Sequence, residues 1–573
     1  MFDRKSGRPS RARAHRAVTT LAASATMAIG AVAAPGGGSA TAATTSISPT
    51  FSTVTWVATS TPATSAAATT TAAPRVQPLL RRPAGGSGAA GSASAPTAAS
   101  SLTSTSTAAA RVLANFDGVN ALQSRNVNGF DVEPPDEGMG AGNGYVVNIV
   151  NLAGIIFSGS GRRLVGPFSM NSFFHEPATA FTSDPRVYYD PASKGWFATE
   201  LETTFGKPGV TESHLDIAVN SSGDPRTPWQ VYRLNTTNTN HFGCPCLPDY
   251  PILGIDADNI YISTNEFTQA LNNFNGAQLY AISKSQLLAG APTPRVAYFP
   301  NLSIAGTPAY HLQPAVTIGN PGVEYLMNSL DPFSTFDNRL GVWALTNPQS
   351  VSTGRGSPTL SSTVIHSEAY GFPPNAITPP GYSPGVGEPT TGVVASDFDA
   401  MQEVQYINGH LIGALDTGVT IPGETAQRAG IAWFDVHPSV SGATIGTTGI
   451  TRQGYLARSG EYLLYPHINM VGSGAMAIVF SMGGPATFLS AAYATMAAGS
   501  AGFGAIRLAA AGVAPDNGFT GTQKYGGVGR WGDYSAGEIV PGTNRVWLAT
   551  QYIPNNGDHF ANWGNRIFEL ALP

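Results

Sequence analysis

Asp249, Glu266 and Asp533 are the residues whose type and setting best suit acid–base work in this 573-residue chain. Each carboxylate lies where a short apolar run meets a polar turn. A pair of carboxylates supplies the two halves of glycoside cleavage, one protonating the leaving oxygen and the other activating water or attacking the sugar. Tyr250 and Tyr534 directly follow two of them, while His311 and His467 offer imidazoles to position substrate or move protons, which would also suit an eliminating lyase. Asp184, Glu403 and Arg530 add charge for gripping polar groups, and Trp531 offers a ring for stacking on a sugar. A second chemistry competes with this one, because clustered carboxylates and amides also suit an oxygen-loving cation such as calcium. No spacing singles out metal ligands. A third reading is plain architecture: Asp at a turn bonds backbone N–H groups.

Other chemistries find no support. Gly-x-Ser-x-Gly, His-Glu-x-x-His and a Gly-rich phosphate loop are all missing from the sequence. Cys244-Pro245-Cys246 falls one residue short of the redox spacing and reads as a local disulfide or two free thiols, with His241 nearby as a weak metal companion. Two Cys in so long a chain exclude a disulfide scaffold and a Cys-based zinc domain. The charge is low and slightly acidic, with 30 Lys+Arg against 35 Asp+Glu, a net charge of −5 and a pI near 6.1. That balance argues against nucleic acid as a partner. At 11% charged residues, the surface must be solvated by Ser, Thr, Asn, Gln and backbone.

The elements that position these residues are short. There are 66 Gly and 43 Pro, and from Arg111 onward they cut the chain into alternating or β-branched runs. The nearest candidate for a helix is the Ala-rich stretch around Ser490–Ala510. A degenerate unit repeats, with Tyr145, Trp196, Ile260, Tyr325, Leu411, Ala477 and Trp547 at equivalent second-strand positions. Four-stranded units repeated radially make an all-β propeller, here of seven blades, over residues 108–573. The lone run Arg111–Phe116 is expected to close the last blade. In such a ring, residues before each first strand and after each second strand converge on one mouth. The entries are Asp136, Asp184, Asp249-Tyr250, His311/Gln313, Asp399/Glu403, Tyr465/His467 and Asp533-Tyr534. The exits are Asn151, Glu202, Glu266, Asn328, Asp416, Ser481 and Gln551.

The first hundred residues read differently. Arg4, Lys5, Arg8, Arg11, Arg13 and Arg16 precede a diluted apolar run and small-residue exits, the pattern of a signal peptide over 1–43. Residues 44–107 are mostly Ala, Thr, Ser and Pro, and are expected to be a disordered linker. The mature protein is expected to be secreted, monomeric and free of the membrane once the signal is cleaved.

Ser222-Gly223-Asp224-Pro225-Arg226-Thr227-Pro228-Trp229 resembles the Asp box of sialidase-like propellers, with Arg226 in place of the Gly and Pro228 in place of the Thr. The region from about 112 to 573 resembles a group of secreted bacterial propellers in that superfamily. The resemblance rests on Asn115-Phe116-Asp117-Gly118, Ser183-Asp184-Pro185-Arg186, Cys246-Leu247-Pro248-Asp249-Tyr250-Pro251, Thr264-Asn265-Glu266-Phe267 and Arg530-Trp531-Gly532-Asp533-Tyr534-Ser535. It implies the fold and a structural turn at the box, and not sialidase chemistry, since the arginine triad and Phe-Arg-Ile-Pro start of those enzymes are missing. The expected function is that of a glycan-active propeller, a hydrolase or lyase acting on a polysaccharide. The alternative is a non-catalytic recognition or adhesion module.

Overall fold

Asn143-Gly144 and Asn408-Gly409 show how the chain reverses. Both pairs hold positive φ (48° and 83°; 51° and 89°), the conformation that a two-residue hairpin turn needs for its twist to match the strands it joins. Such turns fold the computed structural model into antiparallel meanders. Its described residues are 46–69, 72–77, 93–100, 110–330, 336–555, 557 and 559–573. The leader expected over 1–43 lies outside them. No helix among them is long and apolar enough to cross a membrane.

In chain order, meander A holds Gly138–Gly142, Tyr145–Val150, Ala153–Ser158 and Arg163–Ser169. B holds Phe181–Asp190, Gly195–Phe205, Val210–Asn220 and Trp229–Asn235. C runs through Leu247–Ile255, Asn259–Phe267, Phe274–Ser283 and Arg295–Ile304. D holds Gln313–Pro314, Val323–Ser329, Asp337–Thr346 and Thr359–Tyr370, and E holds Gln405–Ile407, His410–Val419, Arg428–His437 and Gly449–Leu456. F runs through Tyr462–Met470, Met476–Gly484, Thr487–Met496 and Arg507–Ala510. G has Ala536–Val540, Arg545–Tyr552 and Gly564–Ala571, and its fourth strand is Arg111–Asn120 from the other end of the domain. The closure expected of the lone N-terminal run is therefore present.

The first strand of each meander packs against the first strand of the next, and that of G packs against that of A, so these strands ring a common axis. The protein is an all-β propeller. At one end of the axis, Val316–Ile318 pairs in parallel with Gln405–Ile407 and touches Ile255, drawing the inner strands of C, D and E together. No single core exists. Apolar side chains fill the spaces between neighbouring sheets: Val147, Ile149 and Ile156 of A meet Val187, Trp196 and Ala198 of B, and Met327, Leu340 and Val342 of D meet Leu411, Leu415 and Phe434 of E. The Ala-rich stretch is strand rather than helix, and its Ala491, Ala492 and Ala494 are wholly buried where small side chains let sheets approach.

The expectation of a disordered linker over 44–107 needs correction for its described parts. Ser46–Ile47 adds to the outer strand of D, Thr50–Thr53 to that of C, and Thr55–Ser60 to that of B. Composition misled here because an added edge strand gains its hydrogen bonds from a sheet already formed and needs little core of its own. Val54 is nevertheless fully buried, and Trp56 donates its indole N–H to Gln230 at 2.7 Å. The arm then bonds to A through Ser65, and Arg75–Val76 pairs in parallel with Val132–Glu133.

Candidate functional site

The mouth is built from one local device, repeated. Asp136, Asp184, Tyr250, His311, Asp397 and Tyr465 all hold left-handed backbone, with φ between 46° and 58°. Asp184, Tyr250 and Tyr465 lie within the first strand of their meander, Asp136 and His311 two residues before it, and Asp397 in the loop leading to that of E. For residues with a Cβ this conformation costs on the order of 1–2 kcal/mol, and a following Pro, as at Pro185, Pro251 and Pro466, disfavours it further. The register shifts at the same places, between Ser183 and Arg186, Asp249 and Ile252, and Leu464 and His467. These are β-bulges, which turn a side chain out of the strand's alternation and into the channel.

Side chains from the preceding meander hold the strained residues. Asn151 accepts from the Asp184 amide at 2.9 Å, Asn265 from the His311 amide at 3.0 Å, and Asp416 from the Tyr465 amide at 2.9 and 3.2 Å. Two exit positions, Asn151 and Asp416, thus latch one meander to the next. In C the latch is Asn265 and not its neighbour Glu266.

Successive strand residues face opposite sides, so Glu266 points away from the channel. It accepts from Asn238 at 2.5 Å and Asn275 at 3.0 Å, and pairs with His241 Nδ1 at 2.8 Å. Beside it, Cys244 and Cys246 form a disulfide, which settles the open reading of those two residues. The structure brings Asp249 and Asp533 into one cluster and does not bring Glu266 there.

The cluster centres on Asp136, Asp184 and Asp533, whose nearest oxygens lie within 4.8 Å of one another. All three are buried. Arg530 grips Asp533 with both terminal nitrogens, Nη1 at 2.9 Å from Oδ1 and Nη2 at 3.0 Å from Oδ2. Asn151 donates to Asp136 Oδ2 at 2.6 Å and Gln77 to Asp184 Oδ2 at 2.9 Å. Asp136 Oδ1 and Asp184 Oδ1 have no hydrogen-bond partner. Gln77 comes from the N-terminal arm, and its carbonyl accepts from Arg530 Nε at 3.4 Å, so the arm reaches the carboxylates.

Burial, followed by the charge of Asp533 and Asp184, pushes the Asp136 carboxyl well up. The same causes, with Asp533 as the charged neighbour, raise Asp184 to about 6. Asp249 is also well raised, by burial and then by Asp184 and Asp533, although its residue surface is only partly covered. It therefore favours its protonated form at a half-buried position.

The remaining expected residues form a wall. Arg186 stacks on Tyr534 with its guanidinium carbon 3.3 Å from the ring centre, and lies 3.6 Å from Glu403. Tyr250 donates to the backbone carbonyl of Asp533 at 2.6 Å, Tyr534 to that of Pro185 at 3.2 Å. His311 stacks between Tyr250 and Tyr310, with ring centres 4.1 and 4.4 Å away. Burial holds His311 well below the ordinary imidazole range and His467 down to about 3, with Arg186 adding to both. Both imidazoles therefore favour the neutral form, in which the ring keeps a single N–H.

Trp531 also departs from expectation. It is 2% exposed and donates its indole N–H to Ser481 at 3.0 Å, so its face is not available to a sugar. Arg186, Gln77, Asp397 and Tyr310 were not singled out from sequence. The Asp-Pro and Tyr-Pro dipeptides at the bulges are the one signal that marks such positions.

A cavity of about 570 Å³ opens at the opposite end of the channel, among the turns at Asp190, Asp256, Gly319 and Pro541. Its cation, Lys284, already bonds Asp190 at 2.9 Å, and the carboxylate cluster is not there.

No protein-family model matches the chain, and a search of curated proteins finds no match. Solved structures similar to it include a protein of unknown function from Dyadobacter fermentans (11% identity, 69% of this chain and 95% of that one, TM-score 0.31). Others are the Penicillium chrysogenum α-L-arabinanase complexed with arabinobiose (11%, 67% and 92%, TM-score 0.30) and the Clostridium thermocellum exo-β-1,3-galactanase (10%, 81% and 100%, TM-score 0.29).

Proposed function

We propose that this chain is a secreted, glycan-active propeller of seven blades that cleaves a polysaccharide linkage, by hydrolysis or elimination, at its carboxylate mouth. The observation that carries the reading is Asp249. It is a partly exposed carboxyl favoured in its protonated form, within electrostatic reach of Arg530 and of the charge-paired Asp533. Asp249 gives the proton to the leaving oxygen, and the buried Asp533–Arg530 pair supplies the charge behind it. Trp531, Tyr250 and Tyr534 support these groups from behind. Glu266 holds the Asn238–Asn275 wall from the far face of the strand.

A second reading, a non-catalytic glycan- or protein-binding module, draws support from the burial of the aromatic rings and from Gln77 lying on the cluster. Polysaccharides incubated with the full chain and analysed by product mass spectrometry separate the two. A new oligosaccharide that disappears with a folded Asp249→Asn variant is the expected result, and its mass distinguishes hydrolysis from elimination. Equal yield from Asp249→Asn removes the assignment. No product across a broad panel, with binding retained on a glycan array, replaces the enzyme by the binding module.

A further inference from the structure

The Asp136–Asp184–Asp533 group does not explain itself as structure. Three buried carboxylates meet, and of the three only Asp533 is in an ion pair, with Arg530; Arg186 acts on Asp184 and Arg530 on Asp136 through their fields alone. Unpaired charge buried in this way is costly and calls for a counter-charge. Asp136 Oδ1 and Asp184 Oδ1 make the point independently. Both are wholly buried and have no donor, while the other oxygen of each is bonded, to Asn151 and to Gln77.

We infer that Asp136, Asp184 and Asp533 bind a hard divalent cation of the calcium type, which joins the entries of meanders A, B and G at the mouth. The donors are all oxygen, the set preferred by calcium, magnesium and manganese over zinc or copper. The three oxygens, all within 4.8 Å of one another, are close enough to share one ion. Magnesium dehydrates reluctantly and keeps several waters, so a buried set of protein carboxylates favours calcium. Asp136 and Asp184 reach the ion from left-handed backbone, which gives that strained conformation a purpose beyond turning the chain.

The inference does not depend on glycan cleavage, and its test needs no substrate. The full chain is stripped with chelator, dialysed, and titrated separately with calcium, magnesium and manganese, with bound metal counted by elemental mass spectrometry and melting followed in parallel. One calcium per chain is expected, with a melting temperature that rises with the logarithm of calcium concentration, as for any ligand of the folded state. Magnesium is expected to bind at least about tenfold more weakly.

Asp136→Asn and Asp184→Asn, tested separately, are each expected to weaken calcium binding by about tenfold or more. A wild-type chain with no stoichiometric metal and no melting shift with any of the three ions would overturn the site. So would variants that keep the wild-type calcium response. The wild-type measurement decides the matter even where a variant fails to fold.

Discussion

His214 shows how one side chain ties pH to stability. Its Nε2 lies 3.1 Å from Glu176 and 3.6 Å from Asp216, and its Nδ1 lies 3.4 Å from Glu202, with Arg233 bridging Glu176 and Asp216 from outside. Burial lowers its pKa, but hydrogen bonds to Asp216 and Glu176 outweigh that and hold it at about 9. The folded chain therefore binds more protons than the unfolded one between about 6.5 and 9. The imidazolium's stabilising share is full below 6.5 and disappears as pH rises through 9. Urea unfolding of wild type and His214→Gln from pH 5 to 10 is expected to show a gap in midpoint that narrows across that window; a constant gap would mean packing alone. At the mouth, Gln77→Ala removes a donor from Asp184 and loosens the arm, so kcat/KM on a cleaved glycan is expected to rise. An unchanged value would show that the arm does not limit access. Residue types were easier to read from the sequence than directions. Asp249 and Asp533 reach the cluster as their place in the repeat suggested, whereas Glu266 misses it by one strand position, the smallest step that reverses a side chain.

At the scale of the element, strands and reversals were legible because alternation and Asn-Gly turns are local signals. The bulges were not. Asp184, Tyr250 and Tyr465 precede Pro, which normally favours extended backbone, and at Asp184 and Tyr465 a side chain of the neighbouring meander holds the left-handed alternative. That dependence predicts coupling between meanders. Asn265→Ala leaves the buried His311 amide without its acceptor and is expected to cost about 1–3 kcal/mol in chemical denaturation. A double-mutant cycle that pairs Asn265→Ala with His311→Gly, which has no need of the latch in left-handed backbone, is expected to be non-additive. Additivity would mean that the latch does not support the strained residue. The Ala-rich run around 490–510 was ambiguous for a different reason: Ala favours helix in isolation, and only the narrow space between sheets F and G makes its small size the deciding property.

Over the whole molecule, the ring was legible as a repeat, while the arm was not, since nothing in a Thr- and Ser-rich segment reveals that finished sheets await it. The arm has a consequence for how molecules meet in solution. An outer strand with unpaired N–H and C=O groups is a template on which another chain can add, and a propeller carries one such template on every blade. Ser46–Ile47, Thr50–Thr53 and Thr55–Ser60 cover three of them, on D, C and B, with strands of the same chain. The arm therefore works as a set of built-in stoppers against self-association. A chain beginning at residue 108 keeps the closing strand Arg111–Asn120 but exposes three adjacent templates. Light scattering is expected to find the full chain monomeric and the shortened one drifting to dimers and larger species as concentration rises. Equal monomer content in both would show that the covered edges were never adhesive.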